Sequence, residues 1–99
     1  MINVAKKITT SGDNIIYTAT EEGVMQELSI VNEDASKGTI NVYRTGVPGS
    51  ELDGINVKLT QTLELEIGEA AFVDRKVIKA GQIILINTDV NIDVDLNIY

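Results

Sequence analysis

Carboxylate and amide oxygens are the only abundant reactive groups in this chain, and their spacing is most suggestive near its C-terminal end. Asp89, Asn91, Asp93 and Asp95 alternate with Val90, Ile92 and Val94. An EF-hand loop opens with this pattern, its oxygens converging on Ca²⁺. The rest of such a loop is missing: the sixth position needs a glycine and holds Val94, and the closing bidentate glutamate would fall beyond Tyr99. Apolar residues between the acids hold them on a flat strand, which spreads carboxylates instead of gathering them. The expectation is a solvated or partner-facing wall, with no metal. Glu64 and Glu66 form a second pair, about 7 Å apart on one strand face, and paired carboxylates can serve acid–base and glycosidase chemistry. No aromatic platform for a sugar lies beside them. Nucleophilic triads are closed off because the chain has no His and no Cys, and neither G-x-x-x-x-G-K nor G-x-G-x-x-G occurs. No catalytic, cofactor-binding or metal-ligating residue is therefore assigned, no cofactor is expected, and the chain is read as a non-enzyme.

Those side chains must be carried by a small scaffold. Ninety-nine residues suit one domain, spanning 1–99, with a single core. The formal charge of −7, from fifteen acids against eight bases, argues against nucleic acid as a partner, since phosphate tracking needs clustered Lys and Arg. Adjacent basic residues occur only as isolated pairs, such as Lys6-Lys7. The longest purely apolar runs are four residues, Ile83-Ile84-Leu85-Ile86 among them, far short of a membrane span, so no membrane partner is expected. The N-terminal segment Ile2-Asn3-Val4-Ala5-Lys6-Lys7 lacks a signal-peptide core, which places synthesis in a cytoplasm.

Turn residues recur at short intervals, the rhythm of an all-β chain. The alternation predicts strands over Asn3–Thr9, Ile15–Ala19, Val24–Asn32 and Thr39–Thr45, with Ser11-Gly12-Asp13-Asn14 as the first turn. In the third, Gln26, Leu28, Ile30 and Asn32 share one face, and Met25, Glu27, Ser29 and Val31 the other. In the fourth, Ile40 and Val42 oppose Asn41 and Tyr43. The stretch Gly46–Gly54 is the longest loop, and Pro48-Gly49 suits the centre of a type II turn. Ile55–Ile67 alternates for longer than a strand usually runs, which predicts a bend near Thr60-Gln61. Gly68–Asp74 is irregular, Val77-Ile78 is a short apolar pair, and Gln82–Thr88 is the next strand. The last, Val90–Ile98, sets Val90, Ile92, Val94, Leu96 and Ile98 against Asn91, Asp93, Asp95 and Asn97. About eight strands with short connections build an antiparallel two-sheet β-sandwich, jelly-roll or immunoglobulin-like.

Some positions depart from one wet face per strand. Ile83–Ile86 is apolar on both faces, and Ile15-Ile16, Val24-Met25 and Ile30-Val31 place apolar residues side by side. Together these suggest an outer face that meets another subunit. Tyr17 and Tyr43 are expected at the edge of the core, and Tyr99 either exposed or closing a subunit contact. The chain has no Trp, which weakens a sugar-binding reading.

The segments Ile15-Ile16-Tyr17-Thr18-Ala19, Leu28-Ser29-Ile30-Val31-Asn32 and Thr39-Ile40-Asn41-Val42-Tyr43 resemble short virion structural proteins of tailed bacteriophages. So do Gln61-Thr62-Leu63-Glu64-Leu65, Val77–Leu85 and Asn91–Leu96. The resemblance lies in the rhythm of strands and turns over most of the chain, and Gly68–Arg75 departs from it. It implies a small sandwich present in many copies in the virion, a homo-oligomer and often a homotrimer, partnered by itself and by proteins such as the major capsid protein. The favoured role is a capsid decoration or auxiliary head protein. The alternatives are a tail, neck or fibre component, or a carbohydrate-binding module for host attachment.

Overall fold

The computed structural model describes every residue from Met1 to Tyr99 and contains ten strands and no helix. They are β1 (Ile2–Ile8), β2 (Gly12–Thr18), β3 (Gly23–Asn32), β4 (Gly38–Gly46), β5 (Val57–Lys58), β6 (Leu63–Leu65), β7 (Ala70–Val73), β8 (Lys76–Ile78), β9 (Gln82–Thr88) and β10 (Ile92–Ile98). All pairings between them are antiparallel. The first sheet runs β1-β10-β3, with β7 and β8 end to end along the far side of β3. The second runs β2-β9-β4, with β5 and β6 along the far side of β4.

This order decides between the two sandwich types that the periodicity left open. Successive long strands alternate between sheets: β1 and β2, β3 and β4, and β9 and β10 each split across the two. An antiparallel ribbon folded over on itself gives this pattern, with β1 against β10, β2 against β9, β3 against β7–β8 and β4 against β5–β6. The result is a jelly roll. Counting each interrupted edge as one strand leaves the expected eight positions.

The elements follow from local chemistry. The alternation Ile55–Ile67 breaks at Leu59–Gln61 into β5 and β6, close to the expected bend. The type II turn at Pro48-Gly49 forms: Gly49 has φ of 85° and the Ser50 amide donates to the Val47 carbonyl at 3.0 Å. Three expectations are corrected. The first turn is tighter than Ser11–Asn14, because the Asn14 side-chain amide donates to the carbonyls of Thr10 and Gly12 at 2.9 and 3.1 Å and lets β2 begin at Gly12. The face assignment of β3 fails at its start: Gln26 is bulged out opposite Asn97 and Ile98, which turns Met25 inward to join Leu28, Ile30 and Asn32. The irregular Gly68–Asp74 contains a strand, β7, whose pairing with β3 overrides its weak local pattern.

One apolar cluster lies between the sheets, built on Met25, Leu28, Ile30, Ile40, Val42, Ile78, Ile84, Ile86, Ile92 and Leu96. Asn32 is buried within it at 1 % exposure and is fully bonded. Its Nδ2 donates to the carbonyls of Ser36 and Leu65 at 2.9 and 2.8 Å, and its Oδ1 accepts from the Asp34 amide at 2.8 Å. It therefore ties the β3–β4 loop to β6 across the sandwich.

Each open side of the sandwich is bridged by a cation. Lys6 follows the inward register of β1, between Val4 and Ile8, and its Nζ reaches the Ile15 carbonyl of β2 at 3.3 Å. On the opposite side Arg44 continues the inward series Ile40 and Val42 of β4. Its Nη1 donates to the Val77 carbonyl of β8 at 3.0 Å, while its buried Nε has no partner.

Candidate functional site

Of the oxygen-bearing residues singled out in the sequence, Asp93, Asp95 and Asn97 lie on the outward face of the first sheet, and the cross-strand register shows why they do not converge. Lys7, Asp93, Val31 and Ala70 form one row across β1, β10, β3 and β7; Ala5, Asp95, Ser29 and Phe72 form the next; Asn3, Asn97 and Glu27 form a third. Asp93 is paired with Lys7 at 3.1 Å. Asp95 and Asn97 both accept from the Asn3 side-chain amide, at 2.9 and 2.6 Å. Asp89 lies in the β9–β10 turn, where its carboxylate accepts from the Thr39 amide at 2.7 Å. No three His, Cys, Asp or Glu side chains are brought together anywhere in the molecule. The acids are thus engaged separately, each by a neighbour on an adjacent strand or turn.

Glu64 on β6 and Glu66 just after it face the same cation, with Lys37 Nζ at 3.9 Å from a carboxylate oxygen of each. All three are well exposed, and such pairs contribute little to stability.

Around Ala5 and Ser29 the small side chains leave a shallow hollow of about 430 Å³, lined by Lys6, Lys7, Val31, Asp93, Val94 and Asp95 as well. Beyond it the same face carries exposed apolar groups. Phe72 is 62 % exposed and Tyr99 61 %. Tyr99 exchanges both backbone bonds with Val24, at 2.7 and 2.8 Å, and Val24 pairs in turn with the exposed Val77. Acidic, amide and apolar side chains therefore share one sheet surface.

The second sheet presents a different face. Asp13, Asn87, Asn41 and Thr62 are joined by hydrogen bonds: Asn87 Nδ2 donates to Asp13 at 2.8 Å and Thr62 Oγ1 to Asn41 at 2.6 Å. The doubly apolar β9 is covered from within the chain. Ile84 and Ile86 point to the core, and outward-facing Leu85 is flanked by Ile15 and Tyr43, which pair with it on either side. Ile15, Phe72, Val77 and Tyr99 are among the large apolar side chains that stay exposed. Tyr17 packs against the core, whereas Tyr43 is half-buried on the outer face.

Phe72 was hidden from sequence reasoning by the irregular segment around it. The inward roles of Lys6 and Arg44 were missed as well, although each occupies an inward position in an otherwise apolar alternation that could have marked it. Comparison with protein-family models and with curated protein sequences returned no match to this chain.

Proposed function

We propose that this chain is a bacteriophage virion structural protein, serving as a decoration or auxiliary head protein that binds the capsid shell as a homo-oligomer. The observation that carries the reading is the outward face of the first sheet. It combines exposed Phe72, Val77 and Tyr99 with acids already neutralised or hydrogen-bonded by neighbours, an arrangement suited to holding another protein. Jelly rolls recur in viral capsid domains, an analogy of fold alone. The side chains are disposed for contact, and the acidic surface would repel packaged DNA. A protein of this kind works by burying modest surfaces on several shell subunits at once, so that many weak contacts act together.

The test is addition of the purified protein to heads assembled without it. Stoichiometric binding with greater resistance to heat is expected, and Phe72→Asp should abolish binding while the variant stays folded. A protein that leaves such heads bare and their thermal stability unchanged would remove the head role.

A further inference from the structure

The four sheet edges are unequal. The β7–β8 edge is broken at Asp74-Arg75 and the β5–β6 edge at Leu59–Thr62. The β2 edge is bulged between Ile15 and Tyr17. Interruptions and bulges are the usual means of preventing edge-to-edge pairing. Only β1 is both long and regular, seven residues in unbroken register with β10.

Its free backbone groups can be identified. Tyr99 bonds to Val24, and the Asn91 carbonyl accepts from the Glu33 amide at 2.9 Å, so odd-numbered residues of β10 turn their backbone groups toward β3. Even-numbered residues turn theirs toward β1. The bonded residues of β1 are then Ile2, Val4, Lys6 and Ile8, opposite Ile98, Leu96, Val94 and Ile92. The N–H and C=O groups of Asn3, Ala5 and Lys7 face outward, and no loop or turn hydrogen bond reaches them. Lysines commonly guard such edges, but here both lean back onto their own molecule, Lys7 to Asp93 and Lys6 to the Ile15 carbonyl.

We infer that β1 pairs antiparallel with β1 of a second copy of this chain, about a two-fold axis through Ala5. The register is selected by charge and overlap. Centring on Ala5 places Asn3 opposite Lys7, Ala5 opposite Ala5 and Lys7 opposite Asn3, each pair exchanging both backbone bonds. The intervening pairs set Ile2, which is 41 % exposed, against Ile8, and Val4 against Lys6. Registers shifted toward the C-terminal end bring Lys6 opposite Lys6 or Lys7 opposite Lys7, which is unfavourable. Shifts the other way shorten the overlap. The small Ala5 at the axis leaves room for the two strands to meet. The pairing closes at two copies, and it stands independently of the virion reading because it concerns the isolated chain.

The experiment uses single-cysteine variants of a chain that has no cysteine of its own. Across the axis the two Ala5 Cα atoms would lie about 5.5 Å apart, within disulfide reach. Two Asn3 positions would be separated by about 14 Å along the strands. Under mild oxidation Ala5→Cys should cross-link quantitatively into a dimer and Asn3→Cys should not. By sedimentation the unmodified protein should show a concentration-dependent monomer–dimer equilibrium. Ala5→Pro, which removes the outward donor at the axis, should weaken it about tenfold or more, as should Asn3→Lys, which opposes Lys7 with a like charge. A protein that stays monomeric, a trimer, cross-linking of Asn3→Cys as fast as Ala5→Cys, or a folded Ala5→Pro variant that dimerises undiminished would each overturn the pairing.

Discussion

Replacing Asn32 with aspartate should make folding of this protein strongly pH-dependent, although the exchange barely alters shape. Asn32 sits at 1 % exposure and uses its Nδ2 to donate to two carbonyls, of Ser36 and Leu65, at 2.9 and 2.8 Å. An aspartate would keep the Oδ1 contact with the Asp34 amide but turn its second oxygen on those carbonyls. Ionised, it has no donor to offer them and is buried as well. Both effects favour the neutral carboxyl, which can still donate once, so the folded-state pKa of the new group is raised above its unfolded value near 4. Buried carboxyls shift by up to about 3–5 units, and each unit is worth about 1.4 kcal/mol. The variant should therefore be least impaired below about pH 4, losing stability as pH rises through the folded pKa. At pH 7 the loss reaches about 4 kcal/mol or more, a large share of the 5–15 kcal/mol typical of a domain. Asn32→Ala removes three hydrogen bonds and should cost about 2–4 kcal/mol without that pH dependence. Urea unfolding between pH 3.5 and 8, followed by circular dichroism, measures both. An Asn32→Asp variant whose stability tracks that of Asn32→Ala at every pH would refute the assigned hydrogen bonding.

Other substitutions probe separate parts of the molecule. A Cβ at Gly38 would overlap the side chain of Val90, which is itself buried, so Gly38→Ala should lower stability by about 1–3 kcal/mol in thermal unfolding. Arg44→Met keeps the aliphatic stem and removes the bond to the Val77 carbonyl along with the unpartnered Nε. The loss and the relief oppose each other, so the change in urea midpoint should correspond to less than about 1 kcal/mol. Asp93→Asn breaks the exposed pair with Lys7 and should alter stability by under about 1 kcal/mol, with the difference shrinking in high salt. Millimolar Ca²⁺ should leave the melting temperature of the unmodified protein in place, because its carboxylates are engaged one by one; a rise of several degrees would point to a binding site.

What the sequence disclosed is what periodicity controls. The polar and apolar walls of Val90–Ile98 appear as expected, because a strand with one neighbour on each side obeys its own alternation. β4 likewise shows Ile40 and Val42 buried opposite Asn41 and Tyr43. The failures share a cause in pairing between distant segments. Gln26 is bulged by its fit against Asn97 and Ile98, a constraint seventy residues away that leaves no mark on the local pattern. β7 has little strand character of its own and exists because β3 offers it an edge. The strand order is equally non-local, since jelly-roll and immunoglobulin-like sandwiches share one periodicity.

The charged residues at inward positions link the fold to the surfaces argued above. Lys6 and Arg44 both sit inside apolar alternations; Arg44 is half-buried and would be costly if left unpaired, whereas Lys6 is exposed. Both spend their charge on a carbonyl of the opposite sheet, on the two sides where the sandwich is open. On the Arg44 side the bonded strand, β8, belongs to a broken edge, so the bridge closes a side already blunted against pairing. On the Lys6 side the same device draws the ammonium group away from the one regular edge in the molecule and leaves Asn3, Ala5 and Lys7 with free backbone groups. Lys6→Met therefore separates two roles for this residue. If Lys6 chiefly guarded the edge, its removal would tighten self-association. If it serves to bridge the sheets, the variant should lose about 1 kcal/mol of stability with dimerisation unchanged, as measured by urea unfolding and sedimentation on the same preparation. A variant that associates tenfold more tightly would show the lysine to be a guard and remove one support of the β1 pairing.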